Sequence, residues 1–282
     1  MDDKLYKNKE WLKEHYENYG CSYISKLCNV DEKTILYWLK KFNIKIRSRS
    51  ESLKLSKANH HFVNENYFKV IDDPHKAYWL GFLMADGTMR EYKENCYQLS
   101  FELKSNDSYI IEQFNKDIES SYSIMNDGMR SRLIITNSNF CKPLIELGII
   151  PYKTGKEYFP NIPNEYKRDF IRGFFDGDGS IIFSKKNRTR CRFHIVSCSF
   201  DILKDIMKNL PANFTEKSLH CKTNASHIYE LELSTLPEIA KIYDYLYYDN
   251  CICLKRKEDI FKNFLEEYKK SKLLIKRYSP TH

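Results

Sequence analysis

The sequence lacks three patterns that would each define a class of protein. No apolar run approaches the roughly 18 to 20 residues that cross a bilayer, and residues 1–20 lack the apolar core of a signal peptide. The nine cysteines include no C-x-x-C pair, and only Cys251 and Cys253 lie close together in the sequence. These absences argue against a membrane protein, a secreted protein, a zinc site and a disulfide framework. We therefore expect reduced thiols and a protein that stays in the compartment where it is made.

Basic residues are in excess and are concentrated in one stretch. The chain has 46 Lys and Arg against 38 Asp and Glu, which gives a net charge of +8 at pH 7. Residues 40–57 contain seven basic residues and one acid. Such clusters are typical of proteins that bind a polyanion, because basic side chains displace the counterions of a phosphate backbone. We interpret this stretch, with Arg47 and Arg49, as a basic connector that contacts nucleic acid.

Residues 1–57 have the periodicity of three short helices. Asp31 is the predicted N-cap of the third helix. An apolar stripe in that helix leaves a polar face outward, formed by Lys33, Thr34, Tyr37, Lys40 and Lys41. This pattern predicts a helix-turn-helix module whose last helix enters a major groove of DNA. A small three-helix bundle of another function has the same periodicity, so both interpretations stay open.

The rest of the chain contains an internal repeat. Residues 78–88, YWLGFLMADGT, recur as residues 170–180, FIRGFFDGDGS. The periodicity after each copy predicts the order helix, two strands, helix, two strands, helix. We therefore predict an α+β class, with one repeat over 58–160 and a second over 161–282. The located strands cover 98–104, 132–136, 192–196 and 227–233, and the located helices cover 108–118, 140–147, 200–210 and 236–247.

Each copy places two small residues one helical turn apart. These are Gly81 and Ala85 in the first copy, and Gly173 and Gly177 in the second. Residues four apart share one face of a helix. We predict that the two helices touch along these faces, almost backbone to backbone.

An aspartate ends each of these predicted helices. In Asp86-Gly87 and Asp178-Gly179, the glycine is expected to end the helix in the left-handed conformation. If the helices pack as predicted, the two carboxylates lie side by side. A carboxylate at a helix C-terminus meets the negative end of the dipole, so a cation is needed beside it. An ordinary helix pair would explain the glycines, but it would not explain the acids; we expect both aspartates to bind Mg²⁺, or Mn²⁺ in its place.

The two copies resemble the paired signatures of single-chain LAGLIDADG homing endonucleases. The matching segments are 79–87, WLGFLMADG, and 171–179, IRGFFDGDG. The similarity extends over roughly residues 65 to 270, about three quarters of the chain. The first copy departs from the second in having Met84 where Asp176 stands, and that position is not the catalytic acid of the signature.

The resemblance implies a monomer with pseudo-two-fold symmetry. Its signature helices would form the interface between αββαββα repeats, and its two antiparallel sheets would form a saddle in the major groove. It further implies cleavage of both strands of a long DNA duplex, with Asp86 and Asp178 as metal-binding catalytic residues. Lys153 and Lys257 loosely match basic residues that polarise the scissile phosphate in this family, so they are expected to be catalytic as well.

Polar residues of the predicted sheets are expected to contact DNA. Side chains on a sheet face can reach base edges, whereas a basic hairpin tip is better suited to phosphates. The expected DNA-binding residues are Gln98, Ser100, Glu102, Lys104, Arg132, Lys185, Lys186, Arg188, Arg190, Arg192 and His194. Each of them, taken alone, could also be an ordinary solvent-facing residue, which is the commoner fate of such side chains.

Two other functions are compatible with this pattern. An RNA maturase of the same fold would bind intron RNA without cutting DNA, and a transcriptional regulator would bind DNA without cutting it. Both copies retain the acid, which favours the endonuclease. Homing endonucleases of this kind are typically encoded in introns or between genes, so we expect the cytoplasm of a bacterium or phage host, or an organelle matrix.

Overall fold

The computed structural model describes residues 5–49, 51–52, 61–183, 191–222 and 227–278, with side chains up to residue 270. The chain divides into two compact units, Met1–Phe62 and Val63–His282. Within the described ranges, no helix combines the length and the apolar character needed to cross a membrane.

The first unit contains the three helices that the sequence predicts. They are α1 (Lys9–Asn18), α2 (Cys21–Leu27) and α3 (Glu32–Lys41), after a 3-10 turn at Leu5–Lys7. The side chain of Asp31 accepts a hydrogen bond from the backbone N–H of Lys33 at 2.7 Å, which confirms the predicted N-cap. The apolar faces of the helices meet in a small core of Tyr6, Leu12, Tyr16, Ile24, Cys28, Ile35 and Leu39.

The second unit repeats one order of elements twice. The first repeat contains α4 (Pro74–Asp86), β1 (Thr88–Lys93), β2 (Cys96–Lys104), α5 (Ser108–Asp117), β3 (Ile124–Asn126), β4 (Arg130–Ile135) and α6 (Ser138–Glu146). The second contains α7 (Lys167–Asp178), β5 (Gly179–Phe183), β6 (Cys191–Ser197), α8 (Phe200–Asn209), β7 (Leu219–Cys221), β8 (Tyr229–Leu233) and α9 (Leu236–Leu246). The predicted αββαββα order is confirmed, and the chain continues into α10 (Lys255–Tyr278), which was not predicted.

The strands form two antiparallel sheets of four strands each. Their orders are β1-β2-β4-β3 and β5-β6-β8-β7. In β2, Leu99, Phe101 and Leu103 are buried, and the residues between them face away from the core. The alternation in β6 is the same, with Cys191, Phe193 and Ile195 buried. One face of each sheet therefore covers the core, and the other carries the polar residues.

Strand pairing shows which residues of the two sheets are equivalent. Thr88, two residues after Asp86, pairs with Ser100 on β2. Ser180, two residues after Asp178, pairs with His194 on β6. Ser100 and His194 therefore occupy equivalent positions in the two repeats.

The same comparison on the next strands reveals a reversal of charge. On β4, Arg132 pairs with Glu102, two residues after Ser100. On β8, Glu230 pairs with Val196, two residues after His194. Arg132 of the first sheet and Glu230 of the second thus occupy equivalent backbone positions with opposite charges.

Candidate functional site

The two signature helices, α4 and α7, touch along the faces that the sequence predicts. A Cβ atom at Gly81 would overlap the carbonyl oxygen of Phe170, and one at Gly173 would overlap the carbonyl oxygen of Tyr78. No side chain fits at either glycine, because the backbones themselves are in contact. The prediction of a backbone-to-backbone helix pair is confirmed.

The same contact continues to the ends of the helices, where the acids lie. A Cβ atom at Gly177 would overlap that of Ala85 and would lie 3.3 Å from Oδ2 of Asp86. The carboxylate of Asp86 is therefore next to the residue that precedes Asp178. The packing of the helices brings together two acids that are far apart in the sequence.

The prediction that the glycines after these acids are left-handed is wrong. Gly87 has φ −69° and ψ 139°, and Gly179 has φ −90° and ψ 163°, which are extended conformations. The chain passes directly from helix into strand at both places, so no reversed turn is needed. A Cβ atom would instead lie 2.5 Å from the carbonyl oxygen of Leu83 at Gly87, or of Phe175 at Gly179. Glycine is required here because the space is filled, and not because of its φ angle.

Within the described part of the chain, the two carboxylates have no neutralising partner in direct contact. Among the described residues, none donates a hydrogen bond to Asp86 or Asp178. Burial raises the pKa of Asp178 to about 7, and the charge of Asp86 adds to this effect. Desolvation by neighbouring residues also raises the pKa of Asp86, against the opposing charges of Lys257 and Lys153, although Asp86 is exposed at the surface and Asp178 is half-buried. Two nearby carboxylates repel one another and favour a bound cation.

A lysine lies against the end of each signature helix. Lys153 is half-buried and donates to the carbonyl oxygen of Ala85 at 2.8 Å. Lys257 is 5% exposed. Its ammonium donates to the carbonyl oxygens of Phe175 (2.7 Å), Asp176 (2.6 Å), Gly177 (3.3 Å) and Gly179 (2.5 Å). Burial lowers the pKa of Lys257 to about 8, against the charges of the nearby acids. Each lysine thus opposes the negative end of one helix dipole, next to one aspartate.

A third acid lies near this site and was not found from the sequence. Glu157 is 8% exposed, and its carboxylate accepts a hydrogen bond from the backbone N–H of Gly155 at 2.8 Å. Its charge raises the pKa of Asp178 and opposes the lowering of the pKa of Lys153 by burial. No repeat, spacing or periodicity points to Glu157, because a loop brings it to the site.

On the first sheet, the predicted DNA-binding residues lie on the polar face. Gln98, Ser100 and Glu102 are half-buried, and Lys104 is exposed. Glu102 accepts hydrogen bonds from Arg132 and from Arg130, the latter at 2.6 Å. Arg130 was not among the predicted residues, although it lies two positions from Arg132 in a strand and so shares its face.

On the second sheet, Arg192 and His194 also lie on the polar face, where acids surround them. Nη2 of Arg192 lies 2.9 Å from Glu230 and 2.7 Å from Glu232, and Nδ1 of His194 lies 2.8 Å from Glu230. The other predicted contacts of this repeat, Lys185, Lys186, Arg188 and Arg190, lie outside the described residues.

Three residues of the second sheet could also bind a metal ion. Across the described part of the chain, one group of three or more potential ligands has its atoms within 4.8 Å of one another, namely His220, Glu230 and Glu232. Arg192 already bridges the two carboxylates, so a metal ion would have to displace its guanidinium. No cation of the described ranges lies in hydrogen-bonding contact with the aspartate pair, which makes that pair the better cation site.

The predicted contacts of the first unit divide into exposed and internally bonded residues. Lys33, Tyr37, Lys41 and Arg49 are exposed, and Thr34 is half-buried. Arg47 donates to the carbonyl oxygens of Glu17 at 2.6 Å and Tyr19 at 3.2 Å, and its guanidinium lies 4.7 Å from the ring centre of Tyr16. These contacts give Arg47 a structural function at the end of α1.

Comparison with known proteins identifies the fold of the chain. No protein-family model matches it. An uncharacterised protein of Methanocaldococcus jannaschii is 25% identical over 198 residues, which cover 66% of this chain and 69% of that protein. Its description states no function.

The chain is also similar to solved structures, including the following two. The LAGLIDADG meganuclease I-AabMI, bound to uncleaved DNA, has a TM-score of 0.50 and 16% identity, over 71% of this chain and 92% of that one. A mutant of I-SmaMI has a TM-score of 0.50 and 13% identity, over 69% of this chain and 90% of that one. With its two signature helices and two four-stranded sheets, the chain has the fold of the LAGLIDADG homing endonucleases.

Proposed function

We propose that the protein is a site-specific DNA endonuclease that cuts both strands of a duplex. The observation that carries this proposal is the pair of carboxylates, Asp86 and Asp178, at the ends of two helices in backbone contact. Each strand of a duplex would meet one acid and one lysine, since the site is built from two equivalent halves. The similarity of fold to a DNA-bound meganuclease supports the same conclusion.

The donor set suits a hard divalent cation such as Mg²⁺ or Mn²⁺. Carboxylate oxygens are the protein ligands that these ions prefer, and burial together with the charge of Asp86 raises the pKa of Asp178, so a cation beside the pair would favour its ionised form. Asp86 and Asp178 would hold the ions. A cation bound there supplies charge neutralisation at the scissile phosphate and eases deprotonation of water.

The lysines of the site are suited to hold charge next to the phosphate. Lys153 has one carbonyl partner and stays partly accessible, so it can turn toward a phosphate oxygen. Lys257 is held by several carbonyl groups and would act through its field, by stabilising the ionised aspartates.

The polar faces of the two sheets and the first unit would provide DNA binding. The sheet residues would contact base edges and phosphates, and α3 would act as the recognition helix of a helix-turn-helix module within residues 1–57. The repeats would extend over 58–160 and 161–282, and the enzyme would act as a monomer with internal pseudo-symmetry.

Cleavage of a plasmid tests this proposal. The test plasmid carries the two sequences that flank the intron or intergenic insertion encoding this protein, joined together as they would be without the insertion. Supercoiled plasmid of this kind is expected to be linearised with Mg²⁺. Asp86→Asn and Asp178→Asn are each expected to abolish linearisation, because each removes the charge of one cation ligand. Asp205→Asn is the matched control, since Asp205 is a solvent-accessible aspartate on α8 that pairs with Lys208.

The outcomes of this assay separate the alternatives. Linearisation that survives both substitutions would remove the proposed mechanism. Binding of intron RNA without any nicking of the plasmid would indicate a maturase. Duplex binding without nicking would indicate a regulator.

A further inference from the structure

We propose that Arg132 recognises a guanine in the target, with Glu102 as the residue that positions it. This inference rests on the proposed function, because it assigns one specificity-determining contact of the same DNA-binding surface. The guanidinium nitrogens of Arg132 that are not already bonded within the protein are the ones that can contact a base.

Glu102 holds two arginines, one on each carboxylate oxygen. Oε1 accepts from Nη1 of Arg130 at 2.6 Å, and Oε2 accepts from Nε of Arg132. The two arginines hold the pKa of Glu102 below its usual value. Glu102 therefore stays ionised over the physiological range, and the contact fixes the direction of the Arg132 side chain.

The bond through Nε leaves the outer end of Arg132 available. Among the described residues, none accepts a hydrogen bond from Nη1 or Nη2 of Arg132, and its side chain is 47% exposed. These two nitrogens form the fork that matches O6 and N7 of guanine in the major groove. An arginine that is already held in one direction loses less side-chain freedom when it binds DNA. The bond to Glu102 therefore favours recognition of a base by Arg132 over a general attraction to phosphate.

The contact of Arg130 with Glu102 is less favourable for recognition of a guanine than that of Arg132. It contacts Glu102 through Nη1, so one half of its outer fork is already used. Its side chain is 64% exposed, which suits contact with a phosphate.

The described residues of the second sheet do not form this arrangement, although their backbone is equivalent. Glu230 occupies the position of Arg132, and it is 4% exposed beneath Arg192 and His194. Arg192 contacts both Glu230 and Glu232 through Nη2, so its outer fork is also occupied. Among the described residues of the two sheets, we therefore assign the guanine contact to Arg132.

Selection from a randomised duplex pool tests this assignment. The parent protein is the full chain with Asp86→Asn and Asp178→Asn, so that bound duplexes stay uncut, and the enriched sequences are read by sequencing. We expect a guanine at one position to depend on Arg132. Arg132→Lys keeps the charge but removes the fork, and it is expected to lower the enrichment of that guanine on the order of tenfold, with other positions unchanged.

Two further variants test whether the guanine preference depends on Glu102 and on the first sheet. Glu102→Gln is expected to lower the enrichment of the same guanine by a smaller factor, because a neutral amide holds the arginine less firmly. Arg192→Lys is the matched control on the second sheet and is expected to leave that position unchanged.

Three outcomes would overturn the inference. If the Arg132→Lys variant keeps every guanine preference, Arg132 does not recognise a base. If it lowers enrichment equally at all positions, Arg132 contacts phosphate only. If the parent protein enriches no sequence, the proposed function itself fails. The first two outcomes would leave the proposed function intact.

Discussion

The two repeats agree closely where their helices meet and differ where their sheets face outward. Gly81 and Gly173 leave equally little space, and each helix ends in Asp-Gly with a lysine against its carbonyl groups. On the sheets, by contrast, Arg132 and Glu230 occupy equivalent positions with opposite charges. Symmetry is kept where it places the two carboxylates, and it is lost where side chains are free to select a ligand.

The two helix ends, although similar in the two repeats, differ in how their lysines are bound. Lys257 is buried and bonded to several carbonyl groups, whereas Lys153 is half-buried and bonded to one. The second helix end is therefore fixed more firmly by the protein than the first.

The largest effect is expected from a side chain at the helix contact. Gly81→Ala and Gly173→Ala each force the backbones of α4 and α7 apart, so each should lower the free energy of unfolding by about 3 kcal/mol or more. Gly20→Ala is the control, because nothing lies within 4 Å of a Cβ atom there, and its cost should be about 1 kcal/mol or less. Urea unfolding measures all three. If the two contact variants cost no more than the control, the helices are not in backbone contact.

Replacement of Lys257 and of Lys153 should lower the free energy of unfolding by different amounts, because the two lysines are bound differently at the two helix ends. Lys257→Met leaves buried carbonyl groups without a donor, so it should lower the free energy of unfolding by about 2 kcal/mol. Lys153→Met exposes one carbonyl group that water can reach, so its cost should be on the order of 0.5 kcal/mol. The two variants are compared by urea unfolding. Equal costs would show that both ends depend on their lysines alike.

An effect smaller than that of Lys257→Met, and one that depends on pH, is expected from a contact found in the first repeat, between α4 and α5. Nδ1 of His75 lies 3.1 Å from Asp117, and this hydrogen bond raises the pKa of the histidine above its ordinary value of 6.5. Its stabilisation is fully present below pH 6.5 and is lost as the pH rises through the raised pKa. His75→Gln should therefore lower the free energy of unfolding by less than about 1 kcal/mol, because the side chain is 44% exposed, and more in acid than in alkali.

Thermal unfolding of both proteins at about pH 5.5, below the ordinary histidine pKa, and at a series of higher pH values measures that difference. A larger loss in alkali would contradict the assigned direction. Trp79→Phe, which removes a second donor to Asp117, should give a loss that does not depend on pH over this range.

The sequence predicted the elements and the helix contact because both depend on local spacing. The alternation of Leu99, Phe101 and Leu103 defined a strand, and small residues four apart defined the contact of α4 with α7. It failed at Gly87 and Gly179, because a glycine after a helix is compatible with a left-handed turn and with a crowded extended one. The long helix α10 was missed, although Phe261 and Leu265 have its spacing.

Most of the surroundings of the site could not have been predicted. Glu102 meets Arg132 only because β2 and β4 pair in one register, and Glu157 reaches the acids only through the path of a loop. Such contacts join residues far apart in the chain, and periodicity carries no information about them.

The central claim is that Asp86 and Asp178 together bind divalent cations, and iron-directed cleavage of the protein chain tests it most directly. Fe²⁺ bound in place of Mg²⁺, with ascorbate and peroxide, generates radicals that cut the backbone beside the ion, and mass spectrometry maps the cuts. We expect cuts near both residue 86 and residue 178, and their loss in Asp86→Asn and Asp178→Asn. Cuts confined to the neighbourhood of His220, Glu230 and Glu232, or unchanged in the two variants, would contradict the claim.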